Sequence, residues 1–479
     1  MLQCRPASHI IDSRFFAEGY GTEEARQVFC DYRRMQRWLD VEAALAHCQA
    51  ELGIIPASAA AAMINSARLE LLDIAAIKSD IAITGHSLIP LLKEWQRVTE
   101  KNAGQFIHYG ATTQDIQDTA QSLELKDITA ILGRDLGAII RILAKLADDN
   151  RDLVTIGRSH GQHALPTTMG LKMAGWLDET LRNYTRLEEC RQRLLAAQLF
   201  GGVGTMAALS DQGLTLLDRF AETLGLASPL SCWHSSRDRT AEFVSVLALI
   251  TGGVARIANE ICQLARNEIG ELAEPFVFGQ IGSTTMPHKK NPELCEQVVV
   301  LSRLVKANAG TALDTICNEH ERDYRAVRLE WVAVTEASIF SCAALRMMKS
   351  ILGGLTIDTA RIKENLDRFA VLISTEALMF LLGEKIGKQS AHSLIYEASV
   401  GSTSGPGQNE LLDRLMTNPE VSRSFTRTDL EKAIDPQRHT GLSGTIIDRI
   451  RNRVEEMNFP AWSQPSACGL KRTEGCCCD

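Results

Sequence analysis

The amino-acid sequence predicts an all-α protein with a central bundle of unusually long helices. Two observations carry this prediction: aromatic residues, which strands favour, make up only 5% of the chain, and apolar residues recur at helical spacing over long stretches. The hydrophobic share of 45% and the charged share of 23% are those of an ordinary globular protein. At 479 residues the chain is too long for one simple core, so we expect three domains.

We place the first domain, a helical one, at residues 1–110. Its first clear helix begins near Thr22, a residue type that accepts backbone hydrogen bonds at helix starts, and continues with apolar residues at helical spacing. Gly53 and Pro56 are expected to end this helix. His86 lies further on, in the short connecting stretch ITGHSLIP.

The second predicted domain, residues 111–355, contains the strongest periodic signal of the sequence. Its apolar residues alternate steps of four and three, which is a heptad seam: Phe243, Leu247, Ile250, Val254, Ile257, Ile261 and Leu264. A helix over 239–270 would be about 48 Å long, too long for a compact single layer, so we expect it to lie in a bundle. Similar patterns over 116–146 and 168–199 predict further long helices.

A smaller helical domain is predicted over residues 356–452, interrupted by the Gly/Ser/Pro-rich stretch GSTSGPGQN at 401–409. The remainder, 453–479, has the composition of a loose tail and ends in the cysteine cluster CCCD. The other cysteines are scattered singly along the chain, which indicates reduced thiols in a cytoplasmic protein rather than a disulfide framework.

Charge and hydropathy exclude several classes of function. The formal net charge is -8, with basic residues interspersed among acidic ones, so no broad cationic surface for nucleic acid is predicted. The N-terminal segment carries charges within its apolar stretch and therefore lacks the core of a signal peptide. The most apolar stretch, 243–255, is shorter than the roughly 20 residues of a membrane span. We expect a soluble cytoplasmic protein with neither nucleic-acid nor membrane partners.

Three glycine-punctuated loops are the places where chemistry is expected: HYGATTQD at 108–115, FGGVGT at 200–205 and FGQIGSTTMPHKKNP at 278–292. In the last of them, Ser283 and two threonines supply hydroxyls directly after a glycine, and Lys289 and Asn291 add a cation and an amide. This combination suits an anionic substrate. An ordinary polar surface loop would explain a short Gly-Ser-Thr-Thr string equally well, but it does not explain the whole string.

The string GSTTMPHKKNP closely resembles the signature of the fumarase/aspartase superfamily, a Gly-Ser-Ser-x-Met-Pro-x-Lys-x-Asn-Pro pattern. Two further segments resemble superfamily motifs in the expected order, HYGATTQDIQDT at 108–119 and GRSHGQHALPTT at 157–168. The resemblance spans roughly residues 20–450 and implies the three-domain, all-helical fold of that superfamily.

Within the superfamily the chain resembles the branch that contains adenylosuccinate lyase and 3-carboxy-cis,cis-muconate cycloisomerase. The segment WHSSRDRTAEF at 233–243 is similar to the cycloisomerase. Other features of the sequence resemble adenylosuccinate lyase, namely His86, His160 in its Arg-Ser-His-Gly context, and Glu296. The segment HERDYRAVRLEW at 320–331 lacks the Ser-rich stretch that helps to hold the nucleotide in adenylosuccinate lyase.

The resemblance implies a reaction that begins at the carbon next to a carboxylate, with a role for each matching residue. Ser283 aligns with the family base, and His160 becomes the general acid, with Glu296 to orient and charge it. His86 would assist in holding the leaving group. Substrate binding is assigned to the following residues: Thr112, Thr113, Gln114, Lys289, Asn291 and Arg239.

The resembling enzymes need no catalytic metal, so no cofactor is expected. His160 and His163 lie three residues apart, but no carboxylate or cysteine stands at a recognisable metal-ligand spacing from them. The expected partner is a small-molecule polycarboxylate substrate. Family members are tetramers whose active sites combine segments from three subunits, so the resemblance implies a homotetramer with shared active sites.

Four interpretations stay open at this point. The first is a lyase that performs β-elimination on a succinyl-type or related polycarboxylate and releases fumarate from a C–N or C–O bond, which His160 and Glu296 favour. The second is a cycloisomerase like the carboxymuconate enzyme, in which a carboxylate attacks an alkene carbon of the same molecule. The third is a decarboxylase or isomerase on the same scaffold, and the fourth is a catalytically silent structural protein. Intact Ser283, His160, Lys289 and Glu296 argue against the fourth.

Overall fold

The structure is a computed structural model of the chain, and it describes residues 8–277, 279–399, 408–457 and 459. Its N-terminal helices are α1 Glu23–Val28, α2 Asp31–Glu51, α3 Ala57–Ser66, α4 Ile74–Thr84 and α5 Ile89–Val98. The predicted helix start at Thr22 is confirmed, because its hydroxyl accepts the backbone N–H of Ala25 at 3.1 Å. The single helix predicted from there is two helices, since Cys30 leaves helical geometry with a ψ of 136°.

The centre of the molecule is the predicted bundle of long helices. They are α6 Thr113–Asp149, α7 Met169–Leu194, α9 Asp238–Leu264, α10 Glu293–Asp314 and α11 Tyr324–Gly353, with the shorter α8 Gly213–Leu224 beside α2. Helix α6 packs against α7 and α11, while α9 packs against α7, α10 and α11. With 37 residues, α6 is about 55 Å long at 1.5 Å per residue. The bundle therefore has two ends that are far apart.

The heptad seam of α9 is buried as predicted, because each of its seven apolar residues is no more than 3% exposed. Complete burial of such a side chain contributes about 1.5–3 kcal/mol, so the seam fixes which face of α9 meets its neighbours. The helix ends at Leu264, six residues before the predicted end. The chain turns back through Gly270, whose φ of +65° favours glycine, and the N–H of Glu271 bonds the carbonyl of Leu264 at 2.9 Å.

Two small sheets accompany the helices in the described residues. Strands β1 Val154–Ser159 and β2 Gln162–Thr168 form an antiparallel hairpin between α6 and α7, and β3 Leu272–Ala273 pairs with β4 Thr356–Ile357. The segment GRSHGQHALPTT, placed by the sequence ahead of a long helix, is therefore a hairpin that hands the chain from one bundle helix to the next. The protein is otherwise all-α, as predicted.

The C-terminal helices are α12 Thr359–Ile373, α13 Thr375–Ile386, α14 Lys388–Ser399, α15 Gln408–Met416, α16 Pro419–Ser424, α17 Arg427–Ala433 and α18 Ser443–Glu456. Apolar residues of α12 to α17 form a hydrophobic cluster of their own, whereas α18 packs against α6 and α7. Residues 401–407 of the predicted interruption, and the cysteine cluster of the predicted tail, lie outside the described residues. The predicted domain boundaries stay a prediction.

In the part of the chain that the structure describes, two helices, α9 and α11, are long and apolar enough to cross a membrane by length and composition alone. The most apolar window of α9 is 67% buried inside the protein, and that of α11 is 72% buried. Both helices lie at the centre of the bundle. Their apolar character is therefore that of core helices.

Candidate active site

The predicted site residues lie at opposite ends of the bundle. Ser283 and Lys289 belong to the loop before α10, while Thr112 and Thr113 lie at the start of α6, next to the start of α11. Helix α10 runs 22 residues, or about 33 Å, between these two ends, and it packs against α11, the next helix in the chain. One chain therefore keeps the two groups of residues roughly a helix length apart.

The loop before α10, residues 279–292, is called the signature loop below. Its two sides approach so closely at Gly282 that an added Cβ would lie 2.2 Å from the carbonyl oxygen of Lys289. Only glycine fits there. The side-chain amide of Asn291 donates to the carbonyl of Gly282 at 2.6 Å and so closes the base of the loop. Glu274 accepts the N–H of Cys295 at 2.9 Å and fixes where the loop passes into α10.

The hydroxyl of Ser283 lies on the inner side of a tight turn. Its Oγ accepts the backbone N–H of Met286 at 3.1 Å and that of Thr285 at 3.4 Å. Two donors facing one oxygen favour the negatively charged form of that oxygen. Both donors lie within three residues of Ser283, so this arrangement is made by the local sequence.

The signature loop borders an open cavity of about 1200 Å³, called the loop cavity, between the C-terminal part of α9 and the start of α10. Lys289 and Glu296 both line it and are exposed. Further cationic lining side chains are Arg266, Lys290 and Arg303, and His288 also lines the cavity. The cavity is suited to an anionic group, which is the chemical class predicted for the substrate.

His160 occupies the tip of the β1–β2 hairpin, where the sequence allows a two-residue turn. His160 and Gly161 have φ angles of +52° and +74°, the left-handed pair of a type I′ turn, which twists with the flanking strands. Next to the turn, two residues before His160, Arg158 donates to buried Glu271 at 2.6 Å. The imidazole of His160 is exposed, and no contact joins it to Ser283 or Glu296 within the part of the chain that the structure describes.

At the other end of the bundle, the start of α6 carries Thr112, Thr113 and Gln114. The guanidinium of Arg322 donates to the Thr112 hydroxyl at 2.8 Å and to the Gln114 carbonyl oxygen at 3.3 Å. The amide of Gln114 is held in turn by Asp118 at 3.1 Å. A helix N-terminus and a cation thus face the same space, and both favour a bound carboxylate.

His86 faces the same space from the turn before α5. Its Nδ1 accepts the backbone N–H groups of Leu88 and Ile89 at 3.2 and 3.1 Å, so the ring proton of the neutral form lies on Nε2. That Nε2 lies 3.4 Å from the hydroxyl of Thr113. Burial, together with the charge of His108, lowers the pKa of His86. His86 is therefore a neutral hydrogen-bond donor at pH 7.

These side chains line a cavity of about 560 Å³, called the α6 cavity. Arg322, Arg328 and Tyr324 line it from the start of α11, opposite His86 and Thr113. The lining residues that the structure describes include no carboxylate. The α6 cavity is therefore the second place in the chain suited to an anion.

Three buried charged side chains hold Gln114, a residue that lines the α6 cavity. Arg237, with a fully buried side chain, donates to Asp118 at 2.9 Å and to Glu330 at 2.7 Å. Because Asp118 also holds Gln114, the three buried charges fix one of the predicted binding residues. Each ion has partners within hydrogen-bonding distance, as a buried charge requires.

Asp115, at 0% exposure, ties the start of α6 to the glycine loop at 200–205. Its carboxylate accepts the backbone N–H groups of Thr112, Phe200 and Gly201 at 3.0, 3.0 and 2.9 Å. It also accepts His234 Nε2 at 2.9 Å. Four donors on one carboxylate make this end of the bundle a fixed scaffold.

The structure places Arg239 away from both cavities. Its guanidinium donates to the carbonyl of Arg193 at 3.0 Å and lies over the Trp233 ring at 5.6 Å. The substrate-binding role of Arg239 stays a prediction that no contact in the described chain supports. Its neighbour Arg237, two residues earlier, and Arg322 were not predicted, although both lie in segments that the sequence singled out, WHSSRDRTAEF and HERDYRAVRLEW.

Comparison with known proteins finds families and relatives that match most of the chain. Residues 20–306 match the model of a family described as lyase, and residues 372–450 match one described as adenylosuccinate lyase C-terminus. The N-acetyl-S-(2-succino)cysteine lyase of Enterococcus italicus is 38% identical over 443 residues, which cover 92% of this chain and 97% of the relative. Adenylosuccinate lyase of Methanothermobacter thermautotrophicus is 38% identical over 434 residues, covering 90% and 96%.

A solved structure extends these similarities to the fold. The crystal structure of 3-carboxy-cis,cis-muconate lactonizing enzyme from Pseudomonas putida is 33% identical to this chain. The match covers 92% of this chain and 99% of that one, with a TM-score of 0.85.

Proposed function

The chain belongs to the fumarase/aspartase superfamily of lyases, and from this premise we propose that it catalyses β-elimination on a small succinyl-substituted molecule and releases fumarate. The observation that carries the proposal is the signature loop, where Ser283 Oγ accepts two backbone N–H groups at 3.1 and 3.4 Å in a loop that also presents Lys289. A serine held in this way is the base that such an elimination requires.

The first step is removal of a proton from the carbon next to a substrate carboxylate. Ser283 takes that proton as its alkoxide, which the N–H groups of Thr285 and Met286 favour. The electron pair passes into the carboxylate, which becomes dianionic. Lys289 and the hydroxyls of Thr112 and Thr113 stabilise this charge, and preorganised donors of this kind are usually the largest source of catalysis.

The second step breaks the bond between the β-carbon and the leaving atom. His160 protonates the leaving atom as the bond breaks, because an imidazole titrates near neutral pH. Glu296 orients the imidazole. His86, neutral and with its Nε2 proton facing the α6 cavity, holds the leaving group.

The separation of these residues within one chain supports an assembly. Thr112 and Ser283 are separated by about the 33 Å length of α10, so a single chain does not bring them to one substrate. A homotetramer, in which one chain supplies the α6 cavity and others supply the signature loop and the hairpin, solves this problem. We place this tetramer in the cytoplasm, where buried thiols such as those of Cys48 and Cys342 stay reduced.

The leaving group follows from the chemistry of the α6 cavity and from the relatives. Arg322 and Arg328 suit a substrate with an anionic group beyond the succinyl carboxylates. One relative is named for a thioether of succinate and another for adenylosuccinate, a secondary amine. The proposal therefore covers C–N, C–O and C–S bonds, with the succinyl half common to all substrates.

A substrate panel tests the proposal. Purified protein is incubated separately with adenylosuccinate, with N-acetyl-S-(2-succino)cysteine and with 3-carboxy-cis,cis-muconate, and the ultraviolet absorbance of fumarate or muconate is followed. We expect fumarate from a succinyl compound, and loss of this turnover in Ser283→Ala but not in Thr285→Ala, which alters a neighbouring hydroxyl of the same loop. Full activity in Ser283→Ala would overturn the assignment of the base.

A second candidate is a lactonising cycloisomerase, which the TM-score of 0.85 with the Pseudomonas putida enzyme favours. In that reaction the substrate carboxylate attacks an alkene carbon of the same molecule and nothing leaves. The same panel separates the two candidates, because the cycloisomerase consumes 3-carboxy-cis,cis-muconate and produces no fumarate.

A further inference from the structure

A cysteine, a histidine and an aspartate lie in a row beside the α6 cavity, outside the residues assigned to the reaction. The Sγ of Cys232 lies 3.1 Å from Nδ1 of His234, and Nε2 of His234 lies 2.9 Å from Asp115. His234 and Asp115 are buried, whereas Cys232 is partly exposed. The row therefore has a buried end that carries charge and an accessible end that carries a thiol.

Each ring nitrogen of His234 lies within hydrogen-bonding distance of a side chain: Nδ1 of the Cys232 sulfur and Nε2 of the Asp115 carboxylate. Burial by itself lowers the pKa of His234, but the hydrogen bonds to Asp115 and Cys232 together with their charges raise it to about 9. The other charges near this ring are Asp118 on α6 and its partner Arg237, which pair with each other. A histidine nitrogen 3.1 Å from a sulfur can exchange a proton with the thiol, as in enzymes with a Cys–His pair.

The surroundings of Cys232 keep its position fixed. Gly204 has a φ of +89°, and a Cβ added there would lie 3.1 Å from Cys232 Cβ and 3.4 Å from its Sγ, so the glycine loop makes room for the thiol. The amide of Gln114 bonds the backbone carbonyl of His234 at 2.9 Å. Trp233 is anchored through its indole N–H to Ala197 at 2.8 Å.

The cation of the α6 cavity borders the same loop. Arg322 donates to the carbonyl of Gly202 at 3.4 Å, two residues before Gly204. The glycine loop therefore has the guanidinium of Arg322 beside Gly202 and the thiol of Cys232 beside Gly204. A molecule with carboxylates is attracted to this position by the same charge that holds the substrate.

We propose that Cys232 is a nucleophilic thiol and a covalent modification site for electron-poor alkenes that carry carboxylates. Fumarate is of this class, and its relevance to this site rests on the proposed function. The thiolate sulfur adds to one alkene carbon, the alkene π electrons form a bond between the other carbon and a proton, and His234 Nδ1 or water supplies that proton. Thiol and alkene together become one thioether, so no oxidant or reductant is needed.

The experiment uses the full-length protein and compares cysteines within it. Protein is treated with iodoacetamide for short times, digested, and the labelled fraction of each cysteine is measured by peptide mass spectrometry. Cys317, which is exposed, is the internal control because no side chain pairs with it in the part of the chain that the structure describes. We expect Cys232 to react at least about 10-fold faster than Cys317 near pH 7, although Cys232 is less exposed.

Fumarate then replaces iodoacetamide as the probe. We expect an adduct with the mass of one fumaric acid on Cys232 and little on Cys317, and prior treatment with fumarate should block labelling of Cys232 by iodoacetamide. Reaction of Cys232 at or below the rate of Cys317 with both probes would overturn the proposal. Because labelling requires no turnover, Ser283→Ala protein should give the same Cys232 adduct. Failure of the elimination is thus distinguished from failure of this site.

Discussion

Both ends of the bundle have a cavity suited to an anion, but the side chains of the two cavities are held in different ways. At the α6 cavity, Thr112, Gln114 and Arg322 are fixed by hydrogen bonds to one another and to the buried charges beneath them. At the signature loop and the hairpin tip, Lys289 and His160 are exposed and lack side-chain partners within the described residues. The groups at the α6 cavity are thus fixed within one chain, whereas Lys289 and His160 are not.

The largest effect on stability is expected at the buried end. Arg237→Met leaves Asp118 and Glu330 as buried, uncompensated carboxylates, so we expect the free energy of unfolding to fall by about 3–5 kcal/mol. Thermal or denaturant unfolding measures it. The matched control is Arg239→Met, two residues along on the surface, where a change within about 1 kcal/mol is expected. Equal losses of unfolding free energy in the two variants would show that the buried ion pairs of Arg237 do not stabilise the protein.

The open end should lose activity without losing stability. Lys289→Met removes from the signature loop the cation assigned to the substrate carboxylate, and we expect kcat/KM to fall by about 10²–10³-fold. The melting temperature should hardly change, because the side chain is exposed. Lys290→Met, whose side chain lies over the Phe276 ring, is the control. A large drop in melting temperature for Lys289→Met would contradict the view that this loop is structurally independent.

The pH dependence of stability should reveal the His234–Asp115 pair. The pKa of His234 is raised from 6.5 to about 9 in the folded protein, so the folded state binds the proton more tightly than the unfolded state does. This contribution is fully present below the unfolded pKa and is lost as the pH rises through about 9. Its size is about 3 kcal/mol, because each pKa unit corresponds to about 1.4 kcal/mol.

Asp115→Asn provides the comparison for that profile. The variant should be less stable than the wild type at the acidic side of this window, and the difference should shrink as the pH rises toward the folded pKa. Denaturant unfolding at a series of pH values measures the difference. A constant difference across the window would mean that His234 does not carry the charge assigned to it.

The smallest effect is expected for the substrate-facing cation of the α6 cavity. Arg322→Gln removes one charge-assisted contact but leaves Thr112 and Gln114 in place, so we expect KM to rise about 10-fold with little change in kcat. Steady-state kinetics on the preferred succinyl substrate measures both constants. A fall in kcat with KM unchanged would instead assign Arg322 to the reacting half of the site.

The long helices could be predicted from the sequence because their apolar periodicity is strong, as in the seven buried residues of α9. The hairpin around His160 could not, since only the left-handed pair His160–Gly161 marks it. The break at Cys30 is set by backbone geometry that periodicity does not report.

Some site residues could likewise be predicted from the sequence, and others could not. Ser283 and Lys289 belong to a motif whose residue types are unusual together, so the sequence was sufficient to select them. Arg237 and Arg322 could not be selected in this way, because their roles depend on the fold. The fold places Arg237 between two buried carboxylates and Arg322 at a helix N-terminus. Arg239 has the same side chain as Arg237 but faces α7, because Arg237 precedes α9 whereas Arg239 lies in its first turn.

The central claim is that no single chain holds a complete site, and mixed oligomers test it most directly. Ser283→Ala protein and a Thr112→Val, Thr113→Val double variant, each inactive alone, are given different tags, mixed, and allowed to exchange subunits. Mass spectrometry of the intact oligomers verifies that mixed assemblies have formed. Random assembly should restore about a quarter of the wild-type sites, because one chain then supplies the threonines and another the serine. Verified mixed oligomers without activity would show that both groups must come from the same chain, which contradicts the account.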